Sequence, residues 1–390
     1  MGIITLRGLD PKSRNRGKKI IQTMSKTKIH LIAAARPNFM KIAPLFHALE
    51  ADEAFEPRIV HTGQHYDPNM SAAFFEDLQL PEPHFHLNVG SGTHAEQTAG
   101  VMIAYEKICL AERPDWIVVV GDVNPTAAVA MVATKLHIPV AHLEAGLRSG
   151  DRKMPEEINR LVTDAIANLL WTPSPDANDN LRREGVPDDK VDLVGNIMID
   201  SYELMKDKIL AQETRDRLGL EEGAYGVVTL HRPSNVDTRE SLSMIVDQLQ
   251  RVSERLQLVF AVHPRTRKQL DAFDLYDTLN NTNGIQLIEP LGYIEFMNLV
   301  TSCRLVITDS GGIQEETTYL GIPCLTCRDT TERPITITEG TNRLVPIPEM
   351  STFVDQALAN DWPTGRRPEL WDGKAAGRCV ESLKAHLHKQ

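Results

Sequence analysis

Short apolar runs rich in β-branched residues recur from residue 28 onward, each ending in a polar turn before a stretch of helical period. They fall at 29–34, 58–62, 116–120, 139–142 and 169–173 in a first series, and at 226–230, 257–262, 285–288 and 303–308 in a second. Helical periodicity fills gaps at 39–50, 95–112, 156–168, 238–256, 293–301 and 313–320, and an alanine-rich helix follows residue 126. A strand that is apolar throughout needs cover on both faces. The alternation therefore predicts an α/β chain built of right-handed strand–helix–strand units around parallel sheets. A charged helical segment at 201–222 connects two similar halves, and Arg36-Pro37-Asn38 reads as a turn.

In open parallel sheets, ligands bind beyond the carboxyl ends of the strands. The polar residues of this chain collect there: Arg36, Gln64 and His65, Asp122, Glu144, His231, His263 and Arg265, then Asp309 to Gly312. They come from both halves, which points to a cleft between two domains. The stretch 303–331 is the most informative. Its strand stops at Asp309-Ser310-Gly311-Gly312, a helix with Glu315 and Glu316 in its first turn is expected next, and Gly321 and Pro323 mark its end. Free N–H groups at such a helix start form an anion site. Diphosphate on the glycines, the Ser310 hydroxyl beside it and a ribose diol on Glu316 would make a nucleotide site; a plain turn capped by Ser310 is the competing reading.

The 390 residues suffice for two domains with separate cores. A net charge of −11 argues against nucleic acid or an anionic membrane as partner. No apolar run approaches the roughly 20 residues of a membrane span. Five cysteines make no disulfide framework and suit a reducing cytoplasm. Cys324 and Cys327 form a CxxC inside an expected strand, which suits neither a redox pair nor a metal site, and His61, His65, His84 and His86 fit no standard zinc spacing. Residues 1–26, basic and poor in apolar side chains, read as a disordered extension, with Met24 an alternative start of translation.

Four longer motifs go further: His142-Leu-Glu-Ala-Gly-Leu-Arg148, Pro155-Glu-Glu-Ile-Asn-Arg160, Thr308-Asp-Ser-Gly-Gly-Ile-Gln-Glu-Glu316 and Arg328-Asp-Thr-Thr-Glu-Arg-Pro334. In this order they resemble the bacterial and archaeal UDP-N-acetylglucosamine 2-epimerases of the non-hydrolysing type, over about residues 28–343. The resemblance implies a glycosyltransferase-B-like fold with two Rossmann-like domains, at 27–200 and 201–365, and the active site in the interdomain cleft. It also implies a C-terminal helix within 366–390 that packs back on the first domain, a homodimer, and no metal or cofactor. Three departures bear on the sugar. The family's Gly-Thr-Arg-Pro-Glu is here Ala34-Ala35-Arg36-Pro37-Asn38, its Gly-Asp-Thr-Thr is Gly121-Asp122-Val123-Asn124, and its His-Arg-Arg-Glu-Asn is His231-Arg232-Pro233-Ser234-Asn235.

The implied reaction inverts C2 of an N-acetylhexosamine. UDP leaves C1 as the C2 proton is taken, giving 2-acetamidoglucal, and adds back after protonation on the other face. This requires carboxylates about the ring and cations or N–H groups about the diphosphate. Asp122, Glu144 and Glu156 are the acid–base candidates; a helix cap or a dipole-favoured first-turn carboxylate is the plainer role for the two glutamates. Arg36, His231, Ser310, Gly311 and Gly312 are expected at the leaving group, with Glu316 on the ribose. His231 is joined by Arg232, while Arg333 and Glu332 belong to a turn near the sugar. Gln64 and His65 resemble part of the family's second, activating sugar-nucleotide site; a polar loop capping the next helix is the competing reading. Three rivals remain: a hydrolysing epimerase releasing free N-acetylmannosamine, a UDP-sugar glycosyltransferase sharing the fold, and a non-catalytic UDP-sugar sensor.

Overall fold

The computed structural model describes residues 26–63 and 72–387. The expected extension lies outside the described residues except for Lys26, as does Met24.

The first half supplies β1 (Thr27–Ala33), β2 (Phe55–His61), β3 (Phe85–His86), β4 (Trp116–Val120), β5 (Val140–Leu143), β6 (Leu169–Thr172) and β7 (Val191–Leu193). They pair in parallel in the order β3-β2-β1-β4-β5-β6-β7. The second half supplies β8 (Tyr225–Thr229), β9 (Gln257–Ala261), β10 (Ile285–Ile288), β11 (Leu305–Thr308), β12 (Cys324–Thr326) and β13 (Asn342–Leu344). Their order, β10-β9-β8-β11-β12-β13, repeats the same winding, again all parallel. All five residues of β4, Trp-Ile-Val-Val-Val, are buried, as a central strand covered on both faces requires. The winding reverses between β1 and β4 and between β8 and β11, which places a switch point in each sheet.

Local chemistry sets the helix ends that matter. Arg36-Pro37-Asn38 is the first turn of helix Arg36–Glu50 rather than a separate turn, with Pro37 where a proline's missing N–H costs nothing. The helix after β11 likewise starts earlier than its side-chain pattern suggests, at Gly311, so Glu315 and Glu316 stand in its second turn, not its first. It ends at Gly321 in the left-handed region, φ 76°.

The halves share apolar packing. A continuous core runs from Ile29, Leu31 and Phe39 through Ile197, Met198 and Met205 to Tyr225, Met297 and Ile313. Helix Ile197–Leu210 crosses the limit drawn at residues 200/201 and packs on both sides of it. Helix Ala375–Leu387 packs against Arg36–Glu50. Asp200 accepts hydrogen bonds from the Ala375 and Ala376 amides at 3.1 and 2.8 Å, and Lys384 pairs with Asp52 at 2.6 Å. Among the described residues, no helix is long and apolar enough to cross a membrane.

Candidate active site

β4 and β5 end in two tight turns. After β4, Gly121 takes φ 67°, and after β5, Glu144 takes φ 69°, a left-handed conformation uncommon for a residue with a side chain. Glu144 is buried and its Oε2 pairs with Lys41 Nζ, which reaches in from helix Arg36–Glu50. Its Oε1 has no hydrogen-bond partner among the described residues. A side chain at Gly121 would lie 3.6 Å from both Glu144 Oε2 and Lys41 Nζ, so the glycine keeps the backbone against this pair. Asp122 is half-buried and accepts from Arg160 at 2.5 Å, while Asn159 donates to its carbonyl at 2.9 Å. Arg160 also donates to Glu157 at 2.8 Å, and Glu157 accepts from the Ser149 and Gly150 amides. Of the adjacent glutamates, Glu157 is thus a structural clamp. Glu156 instead lines a cavity of about 590 Å³ with Asp122, Asn124, Asn159 and Ala35.

The second sheet contributes groups of a different kind. Asp309, fully buried, accepts from the His231 and Arg232 amides at 3.0 and 2.8 Å and from Asn235 at 3.0 Å, and faces His231 Nδ1 at 3.0 Å. Burial alone would raise its pKa; the bonds from His231, Arg232 and Asn235 outweigh burial and hold it below the usual carboxylate range. Burial, with the Arg328 guanidinium beside it, lowers the pKa of Arg232; Glu332, Asp309 and, across the cleft, Glu156 oppose this.

Ser310 precedes helix Gly311–Leu320 but its hydroxyl makes no capping bond, so the plain capping role fails. A side chain at Gly311 would meet Glu332 Oε1 at 2.8 Å and Arg333 Nη1 at 2.9 Å; at Gly312 it would meet nothing within 4 Å. One glycine therefore admits the Arg333–Glu332 turn, and the next opens on free space. Arg333 pairs with Glu332 and Glu315, each at 2.8 Å, and Arg328 holds the other oxygen of Glu332 at 2.8 Å. Burial opposes the charge on Arg333, but Glu315, Glu332 and Glu144 together drive its pKa up. Burial lifts Glu315, with the Glu144 charge adding to it and Arg333 opposing. Glu316, one residue on, is pushed up to about 7 by burial although Tyr293 donates to it at 2.7 Å.

Arg36 lies on the same side as Tyr293. Its guanidinium stacks 4.9 Å from the Phe74 ring and lines a cavity of about 450 Å³ with Gly292 and Tyr293, apart from the cavity holding Asp122 and Glu156. His231 and His263 stack at 5.1 Å between ring centres. Gln64 and His65 lie outside the described residues. The structure thus brings Glu144, Arg333 and the Gly311 turn together, and Asp122 with Glu156. Reading the sequence missed Lys41 and Tyr293, and placed Asp309 at the cleft without its role of holding His231 and Arg232. Lys41 carried a signal, a lone cation between Met40 and Ile42 on an otherwise buried helix face; Tyr293, opening an apolar helix, carried none. Among the described residues, no three His, Cys, Asp or Glu side chains gather as a metal would need.

The family model for UDP-N-acetylglucosamine 2-epimerase matches residues 47–384. The chain belongs to that family. A UDP-N-acetylglucosamine 2-epimerase of Methanocaldococcus jannaschii is 46% identical over 324 residues, 82% of this chain and 88% of the relative. A UDP-2,3-diacetamido-2,3-dideoxy-D-glucuronate 2-epimerase of Pseudomonas aeruginosa is 40% identical over 82% of this chain and 88% of its own. The crystal structure of the M. jannaschii UDP-GlcNAc 2-epimerase, in complex with UDP-GlcNAc and UDP, superposes with a TM-score of 0.82 at 42% identity. It covers 92% of this chain and 100% of that one. The two-sheet winding described above is thus the glycosyltransferase-B-like architecture of this epimerase family.

Proposed function

We propose that this chain catalyses the reversible conversion of UDP-N-acetylglucosamine to UDP-N-acetylmannosamine by elimination and re-addition of UDP. The observation that carries the reading is that the charge of Glu144, from the first half, acts on Arg333 of the second, which stands against Gly311 beside the open Gly312. In the forward direction a carboxylate among Asp122, Glu144 and Glu156 takes the C2 proton, the C2–H electrons form the C1=C2 bond, and UDP leaves with the C1–O pair. The Gly311 and Gly312 amides, with Ser310, His231 and Arg36, receive the developing diphosphate charge, and the buried Glu316 takes the ribose diol. Arg232 and Arg333 supply further positive charge at the cleft. Reprotonation of C2 from the opposite face and return of UDP to C1 complete the inversion.

Three carboxylates at one cleft support an elimination, since transfer to an acceptor needs one base at most. No cofactor enters these steps. The 40% identity to an epimerase of a diacetamido-glucuronate supports a second reading, in which the sugar carries a 3-acetamido or C6 carboxylate group. The family resemblance implies a homodimer, and Ile103 and Leu110, exposed on helix His94–Ala111, offer an apolar face for it. Its five free cysteines suit a reducing cytoplasm.

NMR of the purified protein in D2O tests the reading. The expected result is UDP-N-acetylmannosamine with deuterium at C2 of both epimers. Free N-acetylmannosamine with UDP would replace the non-hydrolysing reading by the hydrolysing one, and exchange only with the diacetamido-glucuronate nucleotide would reassign the sugar.

A further inference from the structure

His142 and Arg148 flank Glu144 in the His142-Leu-Glu-Ala-Gly-Leu-Arg148 motif, and neither has a part in the steps above. His142 is on β5 and fully buried. Its Nδ1 lies 2.6 Å from Asp164 Oδ1 and its Nε2 2.8 Å from the Gly121 carbonyl. The carbonyl can only accept. Asp164, paired with the Arg148 guanidinium, accepts as well. The ring is thus locked between two fixed groups, the Asp164 carboxylate and the Gly121 carbonyl. Asp164, on helix Pro155–Ile166, extends the lock: its Oδ2 accepts from the Gly146 amide at 3.0 Å and pairs with Arg148 at 2.8 Å.

The ends of this network fall at both left-handed turns. Gly121 precedes Asp122, and Gly146 lies two residues beyond Glu144. The Glu144 turn is held from the other side by Ala145 donating to the Trp171 carbonyl at 3.0 Å and by Asn180 donating to the Gly146 carbonyl at 2.8 Å. A side chain in a left-handed turn persists only where its surroundings over-determine it.

We propose that the His142–Asp164 pair, completed by Arg148, is a positioning device that fixes the turns of Asp122 and Glu144 relative to each other for the epimerisation. The inference rests on the reaction proposed above. It is distinct from binding, because the groups that receive UDP, Arg36 apart, come from the second sheet.

His142→Asn keeps a donor toward Asp164 and drops the bond to Gly121. The expected result is a fall in kcat of about 100-fold, the size associated with a displacement of about 1 Å at a reacting centre, with KM and the UDP Kd within about twofold of wild type. Asp200→Asn, which weakens the start of helix Ala375–Leu387 away from the cleft, is the comparison: it lowers Tm and leaves kcat per folded molecule unchanged. Should His142→Asn not fold, Arg148→Lys, which breaks the fork on Asp164 and Glu184 at the rim, is read the same way with a fall of about tenfold. A kcat within threefold of wild type overturns the positioning role. So does a joint loss of kcat and UDP affinity that follows the folded fraction. Wild-type deuterium exchange at C2, run alongside, separates this from the reaction itself: without it both fall, with it only the role of His142 is at stake.

Discussion

The two sheets wind identically, yet their switch points carry opposite chemistry. Beyond β1, β4 and β5 stand Asp122, Glu144 and Glu156; of the cations there, Lys41 and Arg160 are each committed to one of these acids, and Arg36 lies over the Phe74 ring. Beyond β8 and β11 stand backbone N–H groups, His231, Arg232, Arg328 and Arg333, and the acids among them, Asp309 and Glu332, are held ionised by those donors. One half presents bases to a sugar, the other presents positive potential to an anion. The winding decides where a ligand lies, and a few loop residues decide what is done to it.

The sharpest way to break this division is at Glu144. If its carboxylate handles a proton, Glu144→Gln lowers kcat by about a thousandfold while UDP Kd, by calorimetry, stays within about threefold. Equal loss of both would make Glu144 a binding residue and erase the contrast. The converse change is Gly311→Ala, whose new methyl would overlap Glu332 and Arg333. Its expected cost is about 1–3 kcal/mol of stability from overpacking, read as a lower Tm, with a weaker UDP Kd in the same titration.

The acid that belongs to the anion half sharpens the comparison through pH. Glu316 must be ionised to accept two ribose hydroxyls, and its carboxyl is pushed up to about 7. UDP Kd should therefore weaken as pH falls below about 7, by at most about tenfold per unit, and Glu316→Gln should flatten the profile. For folding the sign is opposite. A carboxyl raised from 4.5 in the unfolded chain favours the folded state below about pH 4.5, and that contribution is lost as pH rises to about 7. The smallest effect is expected from Tyr293→Phe. It removes a hydrogen bond that stabilises ionised Glu316, moves the binding break to higher pH, and costs about 1 kcal/mol in UDP affinity.

Much of this frame was legible in the residues. Several apolar runs ended on a polar group that the structure places just past a strand's carboxyl end, Asp122 after β4, Glu144 after β5, His231 after β8 and Asp309 after β11, because a covered strand admits few such groups within it. The helix starts at Arg36 and Gly311 were misread for a shared reason: backbone continues helical through residues whose side chains give no helical period. Partnerships were beyond reach. Lys41 meets Glu144 across 103 residues, and Arg333 meets Glu315 only because β12 returns the chain beside β11. Nothing local to Asp309 or Tyr293 announces that one holds His231 and the other Glu316.

The claim that the two halves act together, one on C2–H and the other on C1–O, meets its most direct test in doubly labelled substrate. UDP-N-acetylglucosamine carrying 18O in the bridge between C1 and the β-phosphorus would be incubated with the enzyme in D2O and followed by NMR. The account predicts that deuterium enters C2 while 18O scrambles from the bridge into the non-bridging β-phosphate oxygens, because UDP departs whenever the C2 proton does. Deuterium at C2 with the label still wholly in the bridge would contradict it, since the proton would then be exchanging while the sugar–phosphate bond stayed intact.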